Sequence, residues 1–410
     1  MQQFYHPIKN RQLFEQQLLL HFKSKKNIVF LNSNHPKKEN FIAISNSNIV
    51  DEKAWQFGFI SYDYKNQLEQ LQSTHFDGIK FPEKHFFSPE ILFKLSLKKV
   101  EISYNEAFFS ELEIEKMVLK IEAISIKEDK PQSIKVLPKI TKEDYLNNVE
   151  HLKNHIQLGD IYEVNYCQEY YAKEVEINPI NLYLALNKKS PTPLSCFVKH
   201  NDTYLMSATP ERFIQKTKTQ LVSQPIKGTI KRGENEVEDM QLKQQLLQDE
   251  KERSENIMIV DLVRNDFSKI ANKGSVKVDE LCQVYTFPQV HQLISTVSAK
   301  VDNSITFEAI IKATFPMGSM TGAPKIRAME LIEQYEKTKR GLYAGTVGYI
   351  NPNGDFDFNV VIRSLQYNQK NQYLSFMVGG AITSLSDAEK EYEECLLKAK
   401  AMIEVLENKC

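Results

Sequence analysis

Between Thr141 and Gly159 the apolar side chains Tyr145, Val149, Leu152 and Ile156 recur at three- and four-residue intervals, the spacing of one helix face. Thr141 stands where an N-cap hydroxyl belongs and Gly159 ends the pattern, so a helix is predicted between them. The next residues, IYEVNY, predict a strand. Later segments alternate short β-rich runs (LSCFVKH, TQLVSQPIKGT, GLYAGTVGYI, NVVIRSL, YLSFMVGGAI) with longer helical patterns, without an internal repeat. The β-rich runs follow one another across Gly-rich and polar turns, which predicts an α+β fold of largely antiparallel sheets flanked by helices.

Two helical stretches stand out. In Asp249 to Asp266 the residues Met258, Ile259, Leu262 and Val263 form an apolar stripe. Near the C-terminus, Tyr392, Cys395, Leu396, Ala399, Met402, Ile403 and Leu406 predict a buried side, with Ser386 and Glu389 spaced as a capping box. Toward the N-terminus, WQFGFISYDYKNQLE reads as a strand passing into a helix-compatible segment. The charged run VLKIEAISIKEDKPQSIKVLPKIT carries Pro131 and Pro138, which disfavour a continuous helix. The predicted boundary therefore separates residues 1–138 from residues 139–410.

With 41% hydrophobic residues among 410, the chain can bury a sizeable core. Its 52 Lys and Arg against 53 Asp and Glu give no broad field, so neither nucleic acid nor a membrane surface is an expected partner. The five cysteines, Cys167, Cys196, Cys282, Cys395 and Cys410, are scattered and lack zinc-site spacing, which points to free thiols in a reducing, cytoplasmic setting. MQQFYHPIKNRQLF has no export-signal pattern, and no apolar run is long enough to span a bilayer.

Several residue types carry chemistry. Glu252 and Glu255 lie three apart, which on a helix puts both carboxylates on one face, in reach of one hard cation. Glu391 and Glu394 repeat the spacing. Such a pair is ordinarily a solvated helix face, and Glu394 has Lys398 one turn on as a surface ion partner. If the two helices face each other, four carboxylates can cage a magnesium ion. In SQPIKGTIKRG, Gly228 permits a tight turn from which Lys227 projects, either as a surface lysine or as a nucleophile. Glu211, after the Pro of SATPERFI, is a general-acid candidate if burial keeps it protonated, and otherwise an ion-pair partner. The loop and helix of ATFPMGSMTGAPKIRAMELI and the glycines Gly379 and Gly380 of MVGGAI offer backbone amides to an anion, or are simply tight turns. His291, amid the apolar residues of FPQVHQLISTV, reads as a hydrogen-bonded core histidine more readily than as a catalyst.

Taken in order, GDIYEVNY, SATPERF, PIKGT, KERSENIMIVDLVRND, PMGSMTGAPKIRAMELI, GLYAGTVGY, VIRS and VGGAITSLSDAEKEYEECLLKAKA closely resemble the catalytic domain of the chorismate-utilising enzymes, the family of anthranilate synthase component I. The match runs from about Thr141 nearly to the C-terminus, and GFISYDYKNQLE is similar to the companion domain of the same proteins. The resemblance implies a magnesium ion held by Glu255 and Glu394, with Glu252 and Glu391 assisting and the ring carboxylate of chorismate on the metal. It implies substrate contacts for Tyr343, Arg363, Gly379, Gly380, Ser319 and Lys325, and an active-site position for His291.

Within the family, water-activating members carry lysine at the position of Glu163, which removes them from first consideration here. Anthranilate-forming members typically carry PIAGT, whereas Lys227 marks members that aminate chorismate at carbon 4 and retain pyruvate. Amide-forming members usually have glutamine where Glu163 stands. The implied mechanism has Lys227 adding to carbon 2, Glu211 protonating the departing hydroxyl of carbon 4, and ammonia displacing Lys227. A separate glutamine amidotransferase subunit is the implied ammonia source. Anthranilate formation and a non-catalytic scaffold for such an amidotransferase are the alternatives.

Overall fold

The computed structural model describes residues 1–126, 133–287 and 290–408, so Pro131 and Cys410 lie outside the described residues. Among these residues two antiparallel sheets carry the fold. The larger has twelve strands, running from Gln2–Pro7 at one edge through Asn27–Asn32, Ser195–His200, Ser364–Asn368 and Tyr373–Ile382 to Glu163–Ala172 and Gly322–Ala323. The smaller has nine, from Ile226–Lys231 and Val290–Lys300 through Arg212–Thr217 and Thr346–Ile350 to Gln56–Ile60 and Lys84–Phe87. The antiparallel pairing matches the α+β expectation.

Strand alternation explains the layers. Along Tyr373–Ile382, Leu374, Phe376, Val378 and Ile382 enter a core shared with the helices Arg11–His21, Lys142–Gln157 and Ala388–Leu406. Met377 instead joins a core containing Ile259, Val263 and Phe358 on the side of the smaller sheet. A third core joins Val29, Ala43 and Val198 of the larger sheet to Phe57, Phe59 and Val347 of the smaller. The two sheets thus pack face to face through this third core, and the helix Glu250–Ser268 supplies Ile259 and Val263 to the Met377 core.

Both sheets draw strands from either side of residues 138 and 139. Ser195–His200 pairs with Asn27–Asn32, and Thr346–Ile350 pairs with Gln56–Ile60.

Local expectations hold at many points. Thr141 caps Lys142–Gln157, accepting from the Asp144 N–H at 3.1 Å, and Gly159 follows with φ +83°. Trp55 to Glu69 forms the strand Gln56–Ile60, a 3₁₀ turn and the helix Lys65–Glu69. Three details differ. TQLVSQPIKGT splits at Pro225 into Gln220–Gln224 and Ile226–Lys231, because proline has no N–H for the ladder. The C-terminal helix is capped by Asp387, which accepts from the Lys390 N–H at 3.0 Å, while the Ser386 hydroxyl accepts from the Thr383 N–H at 3.1 Å in the preceding turn. Leu396 is 41% exposed, because Cys395, Ala399 and Met402 already fill the buried face.

Candidate active site

The helix Glu250–Ser268 begins at Asp249, whose carboxylate accepts from the Glu252 N–H at 3.0 Å, so Glu252 and Glu255 occupy its first two turns. Glu391 and Glu394 occupy the same turns of Ala388–Leu406. The two helices bring these pairs together. Lys251 Nζ lies 2.8 Å from Glu391 Oε1 and 3.7 Å from Glu255 Oε1, bridging one helix to the other. Gly380 of the adjacent strand makes room for them, since a Cβ there would sit 3.4 Å from Glu391 Oε2 and 3.9 Å from Glu394 Oε1.

Their electrostatics are uneven. Burial pushes the Glu255 carboxyl up to about 7, against the pull of Lys227 and Lys251. Burial also raises Glu252, with Glu394 adding to the effect. Glu394 itself is held below the usual carboxylate range by Lys398, whose Nζ is 2.7 Å away. Among the described residues, no three His, Cys, Asp or Glu side chains are gathered as they stand to hold an ion. The donor set nonetheless fits a hard divalent cation. It is all carboxylate, and the buried Glu255 Oε1 and Glu391 Oε2 accept no hydrogen bond.

Lys227 belongs to Ile226–Lys231, whose register against Val290–Lys300 slips between Ile226 and Thr229. Gly228 sits in the slipped stretch at φ +92°, and a Cβ there would meet Leu293 Cδ1 at 2.9 Å and Glu252 Oε2 at 3.2 Å. The Lys227 side chain is only 12% exposed, which sets aside a surface lysine, and its Nζ is 3.6 Å from Glu163 Oε1. Glu163, 1% exposed, opens the strand Glu163–Ala172, and burial raises its carboxyl while Lys227 opposes that rise.

Glu211 is 3% exposed and accepts the Ser319 hydroxyl at 2.7 Å. Burial pushes its carboxyl up to about 7, although Ser319, Lys227 and Arg363 all pull it down. Arg363 lies in the connection before Ser364–Asn368 at φ +49°. Burial works against its guanidinium charge, and Glu211 supports it. The site thus combines a largely enclosed lysine, a carboxyl able to stay protonated near neutrality, an arginine and a two-helix carboxylate cluster.

The other anticipated residues divide. Tyr343 is buried, its hydroxyl 3.6 Å from Cys167 Sγ. Gly379 lies opposite Cys167 and its carbonyl accepts from Lys398 Nζ at 2.8 Å, tying this strand to the Glu394 helix. Lys325 is 2.5 Å from Asp266 Oδ2 and 3.2 Å from the Thr314 carbonyl, and both of those residues line the same cavity as Glu211 and Ser319. His291 is 1% exposed, and its ring nitrogens meet Asp239 at 3.0 Å and Thr286 at 3.0 Å. Lys251 was not singled out from the sequence. It sits inside the charge-rich KERSEN segment, where nothing in the spacing separates a bridging cation from a solvated one.

Comparison with known proteins adds names. The chorismate binding enzyme family matches residues 5–404. The chain is 32% identical over 377 residues to aminodeoxychorismate synthase component 1 of Bacillus subtilis (strain 168), covering 88% of this chain and 79% of that protein. It is 39% identical over 268 residues to the chloroplastic aminodeoxychorismate synthase of Arabidopsis thaliana, covering 65% of this chain but 29% of that protein. The chain therefore spans less than a third of the plant relatives it matches. The crystal structure of anthranilate synthase component I from Streptococcus pneumoniae TIGR4 aligns with a TM-score of 0.77 at 27% identity, covering 98% of this chain and 92% of that one. By a match that runs through both sheets and every residue of the buried cluster, the chain belongs to the chorismate binding enzyme family.

Proposed function

We propose that the chain aminates chorismate at carbon 4 with ammonia, giving 4-amino-4-deoxychorismate on the way to 4-aminobenzoate and folate. This is the activity suggested by the name of its Bacillus subtilis relative. The observation that carries the reading is Lys227, a largely buried amine near enough to Glu211 to oppose the rise of its carboxyl.

In this reading the Lys227 amine adds to carbon 2 of chorismate. The ring double bonds shift, and Glu211 gives its proton to the hydroxyl leaving carbon 4, so that water departs instead of hydroxide. Ammonia adds at carbon 4, the bond from carbon 2 to Lys227 breaks, and Glu211 recovers a proton from the new ammonium group. Arg363, Tyr343 and the backbone at Gly379 and Gly380 bind and orient the substrate, and Ser319 holds Glu211 in place. His291, expected among the catalytic groups, and Lys325, expected at the substrate, are held by Asp239 and Asp266. Glu255 and Glu394, with Glu252 and Glu391 assisting, would hold a magnesium ion, whose charge would polarise the substrate's ring carboxylate.

Ammonia comes, in this proposal, from a separate glutamine amidotransferase subunit, and residues 1–138 serve as the companion part that completes both sheets. A cytoplasmic setting is supported by the free, buried cysteines Cys167, Cys196, Cys282 and Cys395 among the described residues. Among the described residues no helix is long and apolar enough to cross a membrane.

Anthranilate formation is the second reading, favoured by the likeness to the Streptococcus pneumoniae structure. The purified chain, incubated with chorismate, magnesium and ammonium, separates the two. A pyruvate-retaining product that a 4-amino-4-deoxychorismate lyase converts to 4-aminobenzoate is the expected result, whereas anthranilate with free pyruvate would overturn the assignment.

A further inference from the structure

Arg340 is 2% exposed, among the bulkiest side chains the fold encloses, and takes no part in the amination steps. Glu336 holds its guanidinium at two points, accepting from Nε at 3.0 Å and from Nη2 at 2.6 Å. The rest of the fork goes to backbone, Nη1 donating to the Met320 carbonyl at 2.7 Å and Nη2 to the Asn165 carbonyl at 2.8 Å. This flat array of donors is one that lysine cannot reproduce. Stability alone does not call for it, because a buried ion pair is often replaceable by well-packed apolar residues without loss.

The two backbone bonds end beside the general acid. Met320 follows Ser319, whose hydroxyl donates to Glu211 at 2.7 Å. Asn165 donates its own side-chain amide to the Ser319 carbonyl at 3.2 Å. Ser319 is thus clamped twice, by Arg340 at the next residue and by Asn165 at its own carbonyl. The Arg340 carbonyl also accepts from the Tyr343 N–H at 3.1 Å, so a residue expected at the substrate is set from the same point. The N-terminal part of the chain covers the remaining face. The Tyr62 ring lies over the guanidinium, its centroid 4.4 Å from Cζ. The Tyr62 N–H donates to the Gly341 carbonyl at 2.8 Å, and Asp63 Oδ2 accepts from the Gly341 N–H at 3.0 Å.

We infer that Arg340 is a positioning residue for the reaction: braced by Glu336 and Tyr62, it fixes the 3₁₀ turn Gly318–Met320, and Ser319 of that turn aims the Glu211 carboxyl. Residues 1–138 therefore help to set the geometry of the acid besides completing both sheets. A misplacement of about 1 Å by a change remote from the chemistry can cost about 10²-fold in rate.

This role rests on the proposed amination with Glu211 as its acid, and the experiment keeps the two apart. The whole chain is assayed with chorismate, magnesium and ammonium as parent, Arg340→Lys, Ser319→Ala and the double variant, and the pH profile of kcat is recorded for each. Arg340→Lys keeps the charge and loses the fork. It should lower kcat by about 10- to 100-fold. It should also move the alkaline limb to higher pH, as Ser319→Ala does, because the hydroxyl that opposes the effect of burial on Glu211 no longer reaches it. Lys227 and Arg363, which also face Glu211, are unchanged in every variant. In the double variant the limb should stand where Ser319→Ala alone puts it, since both changes act through one bond. A residue that only stabilises the fold lowers the melting temperature and leaves the limb of the folded protein in place. An unmoved limb in Arg340→Lys, or two shifts that add, would overturn the positioning role. If Arg340→Lys does not fold, Tyr62→Leu uncovers the guanidinium and gives the same readout. An upward shift there supports the role, and the parent profile in a folded Tyr62→Leu refutes it. Product identity tests the amination itself: anthranilate with free pyruvate from the parent would sink that reading, while the limbs still report on Arg340.

Discussion

Ser319 donates its hydroxyl to Glu211 across 2.7 Å, tying the 3₁₀ turn Gly318–Met320 to the residue that precedes the strand Arg212–Thr217. The bond opposes the burial that lifts the Glu211 carboxyl to about 7. A general acid works only while protonated, so turnover should fall as pH rises through that value. Glu211→Gln should lower kcat by about 10²- to 10⁴-fold with little change in chorismate KM. Ser319→Ala removes a pull that lowers the pKa, and should move the alkaline limb of the kcat profile to higher pH. A limb that stays in place in Ser319→Ala would deny Glu211 the acid role.

Lys227→Ala should abolish formation of the 4-amino product or divert amination to carbon 2, while leaving magnesium binding intact. Product analysis by mass spectrometry checks it. The parent product at the parent rate would exclude a covalent role for this lysine.

Glu255→Ala removes one carboxylate of the two-helix cluster, and the magnesium concentration for half-maximal turnover should rise by about tenfold or more. Chelation of the parent should stop turnover and magnesium should restore it. Isothermal titration of magnesium into the two proteins gives a readout that does not depend on turnover. Equal affinities would count against the cluster as a metal site.

Glu169 lies outside this constellation but shares its burial. Tyr373 donates to it at 3.1 Å, and its carboxyl is nonetheless pushed up by burial to about 7. The folded chain therefore holds a proton that the unfolded chain gives up at lower pH. The stability this contributes is complete below the ordinary value of 4.5 and is lost as pH rises through about 7, to an extent on the order of 3 kcal/mol. Glu169→Gln keeps the acceptor and removes the titration. Its melting temperature should fall less than the parent's between pH 5 and pH 8, and parallel curves would refute the assignment.

The cap of the C-terminal helix also bears on the site, because Glu391 and Glu394 follow it directly. Asp387→Ala should cost about 1 kcal/mol in urea unfolding. Glu389→Ala should cost less than about 0.5 kcal/mol, because Glu389 only pairs with the half-exposed Lys142. The reverse order would restore Ser386 and Glu389 as the capping pair.

What the sequence disclosed, and what it withheld, follows a physical line. Thr141, Gly159 and both Glu pairs were legible because helix periodicity and capping act over three or four residues. That the Glu pairs meet was not, because their contact runs through Lys251 and the space left by Gly380, which lie 129 positions apart in the chain. His291 illustrates the same limit, since the acceptor that fixes its ring is Asp239, 52 positions away. Lys325, placed beside the substrate by resemblance, is drawn to Asp266, 59 positions away. The pairing of Lys227 with Glu163 joins residues 64 positions apart, which no local pattern records. The α+β class was readable because strand alternation and turn chemistry are local, whereas strand order is not.

The sharing of both sheets across residues 138 and 139 has a practical consequence. A fragment starting at 139 would present Ser195–His200 and Thr346–Ile350 as bare edges, open ladders that recruit other strands and drive aggregation. The complementary fragment carries the strands that fit those edges. Cut in the intervening segment and co-expressed, the two pieces should find each other by strand addition and rebuild one enzyme, making this protein a natural candidate for a split reporter.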